Sequence, residues 1–154
     1  MESKKLTLTP IGKVRNSVNN PRQRGWASVV SDLVLEERYA EALDGIEDFS
    51  HVLVIFWIDR AKAPQSLREH VQGRKELPVV GLFARRAPSR PNPIGVTAVQ
   101  VVRRRKNILT VKGLDAIDGT PLLDIKPYTP AFDRVNNARV PGWSQLIYEA
   151  EDYF

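Results

Sequence analysis

The chain has 154 residues and a formal net charge of +5, a length typical of one domain with one hydrophobic core. Hydrophobic residues make up 42% of it and charged residues 27%, which is ordinary globular usage and excludes an intrinsically disordered chain. It contains no cysteine, which excludes disulfides, thiol catalysis and thiolate metal sites.

Short alternating or apolar runs separated by Gly and Pro follow one another along the chain, and this pattern predicts β-strands. The predicted strands cover, in chain order, residues 5–14 (interrupted by Pro10), 27–35, 51–59, 79–84, 96–103, 108–114 and 122–125. The run 51–59 is continuously apolar almost to its end, which is typical of a strand buried on both faces. The charged residues 103–107 predict the turn of a hairpin.

Two short helices are predicted between the strands. Residues 36–43 could make two turns ending at Gly45, which suits a helix C-terminus, and residues 64–72 begin with Pro64 and end before Gly73. Closely spaced strands with 11 prolines between them predict a mainly antiparallel all-β barrel or sandwich, in one domain over residues 1–154. No GxGxxG or P-loop motif is present, so a Rossmann or P-loop nucleotide site is excluded.

The first segment with a chemical signature is RRAPSRPNPIG, residues 85–95. Its three prolines fix φ and keep the backbone between them extended, so Arg90 and Asn92 are held on a stiff loop. A guanidinium offers a planar fork to a carboxylate or phosphate, and an amide both donates and accepts hydrogen bonds. From these residues alone, a binding loop and a rigid turn between two strands are about equally supported.

The second segment, DAIDGTPLLDIKPYTP, covers residues 115–130 and has an Asp-Gly turn dipeptide at Asp118. A plain hairpin would explain that dipeptide by itself. The segment also carries Asp115, Asp124 and Lys126, more charge than a turn needs, and Asp124 and Lys126 would share one face of a strand. A polar pocket and a surface turn with an ordinary ion pair both stay open here.

Two further segments carry polar residues beside apolar ones. The predicted strand 51–59 is followed by Arg60, and the pair Asp59-Arg60 is either the exit of the strand to solvent or a pair delivered to a pocket. The segment PRQRGW, residues 21–26, combines two arginines with Trp26, which suits stacking on a base and gripping a phosphate. The same residues also fit a basic loop that Trp26 anchors to the core.

The chain carries IGKVRN, PRQRG, GIEDFSHVLVIFW, GLFARRAPSRPNPIGVT and LDAIDGTPLLDIKPYTP in this order. The set resembles the TsaA-like, TrmO-type family, whose characterised members methylate N-6 of threonylcarbamoyladenosine in the tRNA anticodon loop. The resemblance covers residues 11–133, and RPNPIG together with DGTPLLDIKPY is its specific part. The sequence departs from the family pattern at Arg85 and Ala87, where members commonly carry Thr and Ser, and at Asp59, where some carry His.

The resemblance implies a single, mainly antiparallel β-barrel with a few short helices, distinct from the Rossmann methyltransferases. It also implies a homodimer that binds S-adenosylmethionine near the subunit interface. Matched motif by motif, the implied cofactor contacts are Gln23, Arg24, Gly25, Trp26, Asp59, Arg60, Arg90, Asn92, Asp118, Gly119, Thr120 and Pro121. The basic residues that we assign to tRNA are Arg85, Arg86 and Lys126.

Methyl transfer from a sulfonium is an in-line displacement that depends mainly on positioning. The nitrogen of a threonylcarbamoyladenine is urea-like and weakly nucleophilic, so a carboxylate that takes its proton would help. Asp118 and Asp59 are the candidate catalytic groups, and Arg90 is a candidate partner for the methionyl carboxylate. Two other functions stay open: a non-catalytic module that binds S-adenosylmethionine and RNA, and a methyltransferase that acts on a small metabolite.

Composition also sets expectations about partners and location. A basic chain favours a polyanion such as tRNA, because Lys and Arg that neutralise phosphates release condensed counterions. His51 and His70 lie far apart with no metal-binding spacing, so no metal site is expected. No apolar run reaches the roughly 18–20 residues of a membrane helix. The N-terminus also lacks an apolar signal segment, so we expect a cytoplasmic protein without membrane contact.

Overall fold

The computed structural model describes residues 3–148. Within them the strands are β1 Gly12–Arg15, β2 Val30–Leu35, β3 His51–Trp57, β4 Arg68–His70, β5 Val79–Gly81, β6 Ile94–Arg105, β7 Ile108–Lys112 and β8 Pro121–Pro127. Single 3-10 segments lie at Glu37–Leu43, Ile46–Asp48, Val71–Gly73 and Leu82–Ala84. The α-helices of the described residues are α1 Pro130–Asp133 and α2 Gly142–Tyr148, and none of their helices is long and apolar enough to cross a membrane.

Six of these strands close into a barrel in the order β1-β2-β7-β6-β3-β8, with every neighbouring pair antiparallel. Strands β4 and β5 form a separate two-stranded ribbon inside the connection between β3 and β6. Closure pairs the edge strands of the sheet with each other, which removes the exposed edges that would otherwise attract other chains. The prediction of a mainly antiparallel single barrel with short helices is confirmed.

Alternate residues of the barrel strands point inward and form one hydrophobic core. On β3 the inward residues are Val52, Val54 and Phe56, whereas the intervening residues of the same strand are only half-buried on the outer wall. The prediction that this strand is buried on both faces is therefore wrong. Gly95 lies opposite Phe56 on β6, and a Cβ at Gly95 would come within 2.3 Å of the Phe56 ring, so the core needs a glycine there.

Two predicted elements differ from the structure: one strand is shorter than predicted, and one predicted helix is absent. In the predicted strand 5–14, regular pairing begins only at Gly12, which is opposite Leu35 on β2 and Leu122 on β8. No α-helix forms over residues 64–72, because Arg68–His70 pairs instead with Val79–Gly81, and a 3-10 turn follows at Val71–Gly73. A helix of that length is marginal in water without a packed apolar face, and Leu67 on this segment is exposed.

Other predicted elements are present with shifted ends. The helix expected over 36–43 is a 3-10 segment, and Gly45 follows it with a φ of 85°, the left-handed geometry that glycine favours. The charged hairpin turn lies between β6 and β7, where Lys106 has a φ of 55°. Helices α1 and α2 were not predicted, although α1 starts with Pro130, a residue that suits the first helical position.

Candidate functional site

Three connections meet at one end of the barrel: residues 16–29 after β1, 58–93 after β3 and 113–120 after β7. Antiparallel pairing puts the ends of β1, β3 and β7 beside the starts of β2, β6 and β8. We refer to this end as the site end and to the opposite one as the far end. Every residue that the sequence assigned to cofactor, catalysis or RNA lies in these connections or at the start of β8, except Lys126.

Asn16, the residue after β1, organises the site end. Its side-chain amide donates to Ser31 Oγ and to the carbonyl of Ala116, both at 2.9 Å, and its Oδ1 accepts the N–H of Val18 at 3.0 Å. Its backbone N–H donates to Oδ1 of Asp118 at 2.9 Å. One side chain thus ties together two of the three connections and the buried start of β2. Sequence reasoning missed Asn16, and the only available signal was its place at the end of the IGKVRN motif.

The Asp-Gly turn is hydrogen-bonded to β1 and to the residues that follow it. The N–H of Asp118 donates to the carbonyl of Val18 and the N–H of Gly119 to the carbonyl of Val14, both at 2.7 Å. The Thr120 hydroxyl is buried and donates to the carbonyl of Ile117 at 2.7 Å. Gly119 has a φ of 82°, which a residue with a Cβ would adopt only with strain. The turn is therefore held rigidly, and the Asp118 carboxylate is partly engaged in holding it.

Asp59 and Arg60 form a turn that links two of the site segments. The N–H of Ile58, just before them, donates to the carbonyl of Pro93 in the RPNPIG loop at 2.7 Å. The Arg60 guanidinium donates to the carbonyl of Asn19 at 3.1 Å, so it reaches the connection after β1. Both Asp59 and Arg60 are exposed. The exposure of both residues agrees with an exit of the strand to solvent, while the Arg60–Asn19 contact joins this turn to a second connection.

The PRQRGW segment is anchored by its tryptophan. Trp26 is only 7% exposed and packs with Val29 and Ile117 in a small cluster beside the main core. Its indole N–H donates to the carbonyl of Arg22 at 3.1 Å, and the Arg22 guanidinium lies 4.8 Å from the ring centroid. Gln23 and Arg24 are exposed at the tip of the loop, and Gly25 has a φ of 81°. Trp26 therefore presents the two polar residues to solvent, and little of its own ring is accessible.

Arg90 stiffens the proline loop that contains it. One of its nitrogens, Nη1, donates to the carbonyls of Arg85 at 2.8 Å and Ala87 at 3.2 Å. Asn92 is exposed at the next turn of the loop. Arg86 donates to the carbonyl of Val96 at 2.7 Å, so it fixes the loop to the start of β6. These arginines shape the loop through backbone carbonyls and carry their charge at its surface.

Arg85 lies in a polar cleft of about 310 Å³ within the connection after β3. Its side chain is 11% exposed and donates from Nη2 to Glu69 at 2.8 Å, while its Nε is buried without a hydrogen-bond partner. The cleft is lined by Lys62, Ala63, Pro64, Gln65, Glu69, Arg85, Ala87 and Ser89. None of the residues assigned to the cofactor lines it.

Lys126 is the residue assigned to tRNA that lies away from the site end. It lies on the outer wall of β8 opposite Leu53, and it is the next-to-last residue of that strand, near the far end. Its ammonium is 2.9 Å from Asp124, and this hydrogen bond and charge raise the pKa of Lys126. The pair matches the interpretation of a surface ion pair. Among residues 3–148, no group of three or more His, Asp or Glu side chains is placed to hold a metal ion.

The charge of the chain is concentrated at the site end. The three connections carry ten Lys or Arg and five Asp or Glu, which equals the +5 of the whole chain. The remaining 13 Lys or Arg are balanced by 13 Asp or Glu. Loops of one sign of charge raise the local concentration of ligands of the other sign. The site end therefore favours an anionic ligand.

Fold and site together define a closed antiparallel barrel that presents polar, basic loops at one end. The model of the tRNA-methyltransferase O N-terminal domain family matches residues 12–134, and the chain belongs to this family.

Relatives and solved structures agree with this assignment. An S-adenosyl-L-methionine-binding protein of Archaeoglobus fulgidus is 39% identical over 135 residues, which cover 85% of this chain and 95% of that protein. A probable S-adenosyl-L-methionine-binding protein of Pyrococcus abyssi is 42% identical over 144 residues, covering 90% and 76%. The crystal structure of TrmO from Pseudomonas aeruginosa superposes with a TM-score of 0.73 at 34% identity. The match covers 92% of this chain and 63% of that chain, so this chain spans less than two thirds of that TrmO.

Proposed function

We propose that the protein is an S-adenosylmethionine-dependent methyltransferase that acts on N-6 of threonylcarbamoyladenosine in the tRNA anticodon loop. The observation that carries the proposal is the gathering of four motif segments, far apart in sequence, at one basic end of the barrel. The family assignment and the names of the relatives support the cofactor and the type of reaction. The identity of the acceptor, threonylcarbamoyladenosine, is the more specific part of the proposal.

Polar residues of the site end suit the polar ends of this cofactor. Exposed Arg60 and half-buried Arg90 offer guanidinium groups to the methionyl carboxylate, and exposed Asn92 and Gln23 offer amides to a ribose or an adenine edge. Their loops are already fixed by hydrogen bonds to backbone carbonyls, so little conformational entropy is lost on binding. Gly25, Trp26 and the turn from Asp118 to Pro121 give these loops their shape.

Bound S-adenosylmethionine would supply the methyl group, and the residues of this chain would place the acceptor and remove its proton. Of the two candidate carboxylates, Asp118 accepts the N–H of Asn16, whereas Asp59 is exposed on the turn beside the RPNPIG loop. We therefore assign proton removal from N-6 to the Asp59 carboxylate and loop positioning to Asp118. Asp59 would hold the proton from N-6, and the methyl group would come from the bound cofactor, which would leave as the neutral thioether.

We also propose a homodimer with the cofactor site near its interface. The outer walls of β3 and β6 carry an apolar face that includes half-buried Ile55 and Trp57 and exposed Ile94 and Val96. The pair Trp57 and Ile94 lies at the site end, so a second copy seated on this face would lie beside the cofactor loops. Contiguous exposed apolar surface of this kind is typical of protein interfaces.

Three further parts of the proposal concern context. Arg85 and Arg86 belong to the surface that meets the anticodon loop, while Lys126, far from it, would contact RNA only at a distance from the chemistry. The barrel and its ribbon act as one domain. The reaction takes place in the cytoplasm, where its tRNA substrate is found.

Nucleoside mass spectrometry tests the proposal directly. Purified protein and S-adenosylmethionine are incubated with tRNA that carries threonylcarbamoyladenosine and with the same tRNA that lacks it. Methylation of the first tRNA alone is the expected result. Binding of cofactor and RNA without methylation of either tRNA would indicate a binding module, and no cofactor binding at millimolar concentration would refute the proposal.

A pair of variants tests the role of Asp59. Asp59→Asn should lower the methylation rate at least about a hundredfold, the usual range for a lost general base, while calorimetry shows that cofactor binding is retained. Asp48→Asn removes an exposed carboxylate at the far end and should leave both unchanged. Full activity in Asp59→Asn would remove Asp59 from the mechanism.

A further inference from the structure

A second basic surface lies on the side of the barrel, outside the site end. The outer wall of β1, β2, β7 and β6 carries five exposed cations, and we name it the basic wall: Lys13, Arg15, Arg103, Arg105 and Lys112. Strand register places them in rows. Arg15, Asp32, Thr110 and Arg103 lie side by side across four strands, and Lys13, Val34, Ile108 and Arg105 form the next row.

A bulge gives the arginines of β6 their outward direction. The register between β6 and β7 shifts between Val101 and Arg103, so Val102 is the extra residue. Because side chains alternate along a strand, this extra residue places Arg103 and Arg105 on the outer face. The intervening Arg104 instead donates to Asp44 at 2.7 Å and to the carbonyl of Ala40 at 2.8 Å, where it stabilises the far end.

Most of the charge on the basic wall is uncompensated. Asp32 is its one carboxylate, and it accepts from Thr110 Oγ at 2.6 Å and from Arg15 at 3.1 Å. These groups lower the pKa of Asp32, so it is ionised at neutral pH and balances one cation. Within residues 3–148, Lys13, Arg105 and Lys112 form no ion pair. The wall therefore keeps a net positive charge that nothing in the described chain uses.

The arrangement of these cations matches an extended anion. Lys13 and Arg15 are two residues apart on β1, about 7 Å along the strand, and Arg103 and Arg105 repeat this spacing on β6. The two pairs are three strand spacings apart, about 14 Å. No aromatic side chain stands among the outward residues of the two rows, so the wall offers no platform for base stacking. It can contact phosphates and cannot read bases by stacking.

We propose that the basic wall binds the phosphate backbone of RNA, as a docking surface separate from the cofactor loops. The proposal rests on the proposed function, because it concerns the body of the same tRNA substrate. Arg15 and Lys112 end their strands at the site end, whereas Lys13 and Arg105 lie closer to the far end. The wall thus runs away from the site, and an RNA whose loop enters the site end is held along its stem by shape and charge.

The test measures binding of an unmodified tRNA transcript over 50–200 mM KCl. Lys13→Gln combined with Arg105→Gln removes two exposed, unpaired charges without touching the core, and thermal melting confirms the fold. Arg134→Gln combined with Arg139→Gln removes two exposed arginines from the segment after α1 and serves as the control. Each lost phosphate contact removes roughly 0.7–0.9 from the slope of log K against log salt.

The wall variant should therefore lose about 1.4–1.8 from that slope and bind at least about tenfold more weakly at 100 mM salt. The control should stay within about twofold, and both should bind S-adenosylmethionine like the wild type. Equal slopes and affinities in the wall variant and the control would refute RNA binding by the basic wall and would not affect the proposed function. Weaker tRNA binding by the wall variant, with no methylation by the wild type, would support RNA binding by the basic wall and refute the proposed methyltransferase function. Absence of tRNA binding by the wild type would overturn both.

Discussion

The backbone N–H of Asn16 donates to the carboxylate of Asp118 at 2.9 Å across 102 residues of sequence. This bond joins the end of β1 to the turn before β8, and the side chain of Asn16 extends the link to Ser31 inside the barrel. The site end is thus held by polar contacts at the rim of a hydrophobic core. Polar networks of this kind stabilise strongly when every member has a partner and cost most when one partner is removed.

Two substitutions at Asp118 separate its structural role from a chemical one. Asp118→Asn keeps an oxygen that can accept from Asn16, so the free energy of unfolding should fall by less than about 1 kcal/mol. Asp118→Ala leaves that N–H without its partner and should cost about 1–3 kcal/mol. Urea denaturation measures both, and calorimetry should show cofactor affinity retained in the first and weakened in the second. Retained binding with lost methylation in Asp118→Asn would move the proton-acceptor role from Asp59 to Asp118.

Asn16→Ala removes three side-chain hydrogen bonds at the site end. With about 0.5–1.5 kcal/mol for each bond, the free energy of unfolding should fall by about 1.5–4.5 kcal/mol. Asn107→Ala is the matched control, because the Asn107 amide donates to the carbonyl of Leu35 at the far end. It should cost about 1 kcal/mol. Cofactor affinity should fall in Asn16→Ala alone, and an equal fall in both variants would contradict a special role for Asn16.

Local sequence patterns predicted the strands of the barrel because their alternation reports which side chains face the core. The same patterns failed at residues 64–72, where the helix signal was weak and pairing of β4 with β5 decided the structure. They also failed to show that β3 has a half-buried outer wall, since Leu53, Ile55 and Trp57 are as apolar as the inward residues. Burial on the second face depends on what packs there, and a single strand does not encode it.

The segments that form the site could be predicted from the sequence, but the hydrogen bonds that join them could not. Proline and Asp-Gly chemistry marked the rigid loops, and the family motifs marked which of them belong together. The contacts that join them run mostly through backbone groups, such as the carbonyls of Val18, Asn19 and Pro93. Any residue can supply a backbone carbonyl, so these partners leave no trace in the sequence. Asn16 and the basic wall emerge only once the strand register is known.

Gly95→Ala tests how tightly the barrel is packed. The added Cβ would lie 2.3–2.9 Å from the ring atoms of Phe56, a core residue only 4% exposed, so the ring must move. Overpacking of this kind typically costs about 1–3 kcal/mol of unfolding free energy. Phe56→Leu in the same chain should recover part of the loss, which a double-mutant cycle by urea denaturation measures. Gly142→Ala should be neutral or slightly stabilising, because among residues 3–148 nothing outside its chain neighbours and its own helix backbone lies within 4 Å of the new Cβ.

Asp32 makes the stability of the barrel depend on pH in the acidic range. The Thr110 hydroxyl, and then Arg15, lower its pKa in the folded protein below the ordinary value of about 3.9. A lowered folded pKa means that the contribution of Asp32 is present above the unfolded pKa and is lost as pH falls through the folded one. Between pH 5 and pH 2, Asp32→Asn should therefore lose less unfolding free energy than the wild type. Thr110→Val should lose an intermediate amount of unfolding free energy over this pH range. If the unfolding free energy of all three proteins fell equally with pH, Asp32 would not be the source of the acid dependence.

Two valines on β6 provide a matched test of the proposed dimer. Val96 is 44% exposed beside Ile55 on the apolar face, and Val102 is 48% exposed at the bulge of the same strand. Val96→Lys places a charge in the proposed interface, where an unpaired desolvated ammonium is strongly unfavourable, so sedimentation equilibrium should show monomers. Val102→Lys should remain dimeric, because it lies on the half of β6 that faces β7. A monomeric wild type, or identical masses for the two variants, would contradict an interface on this face. Cofactor affinity should fall together with dimerisation in Val96→Lys, since the proposed interface begins at the site end with Trp57 and Ile94.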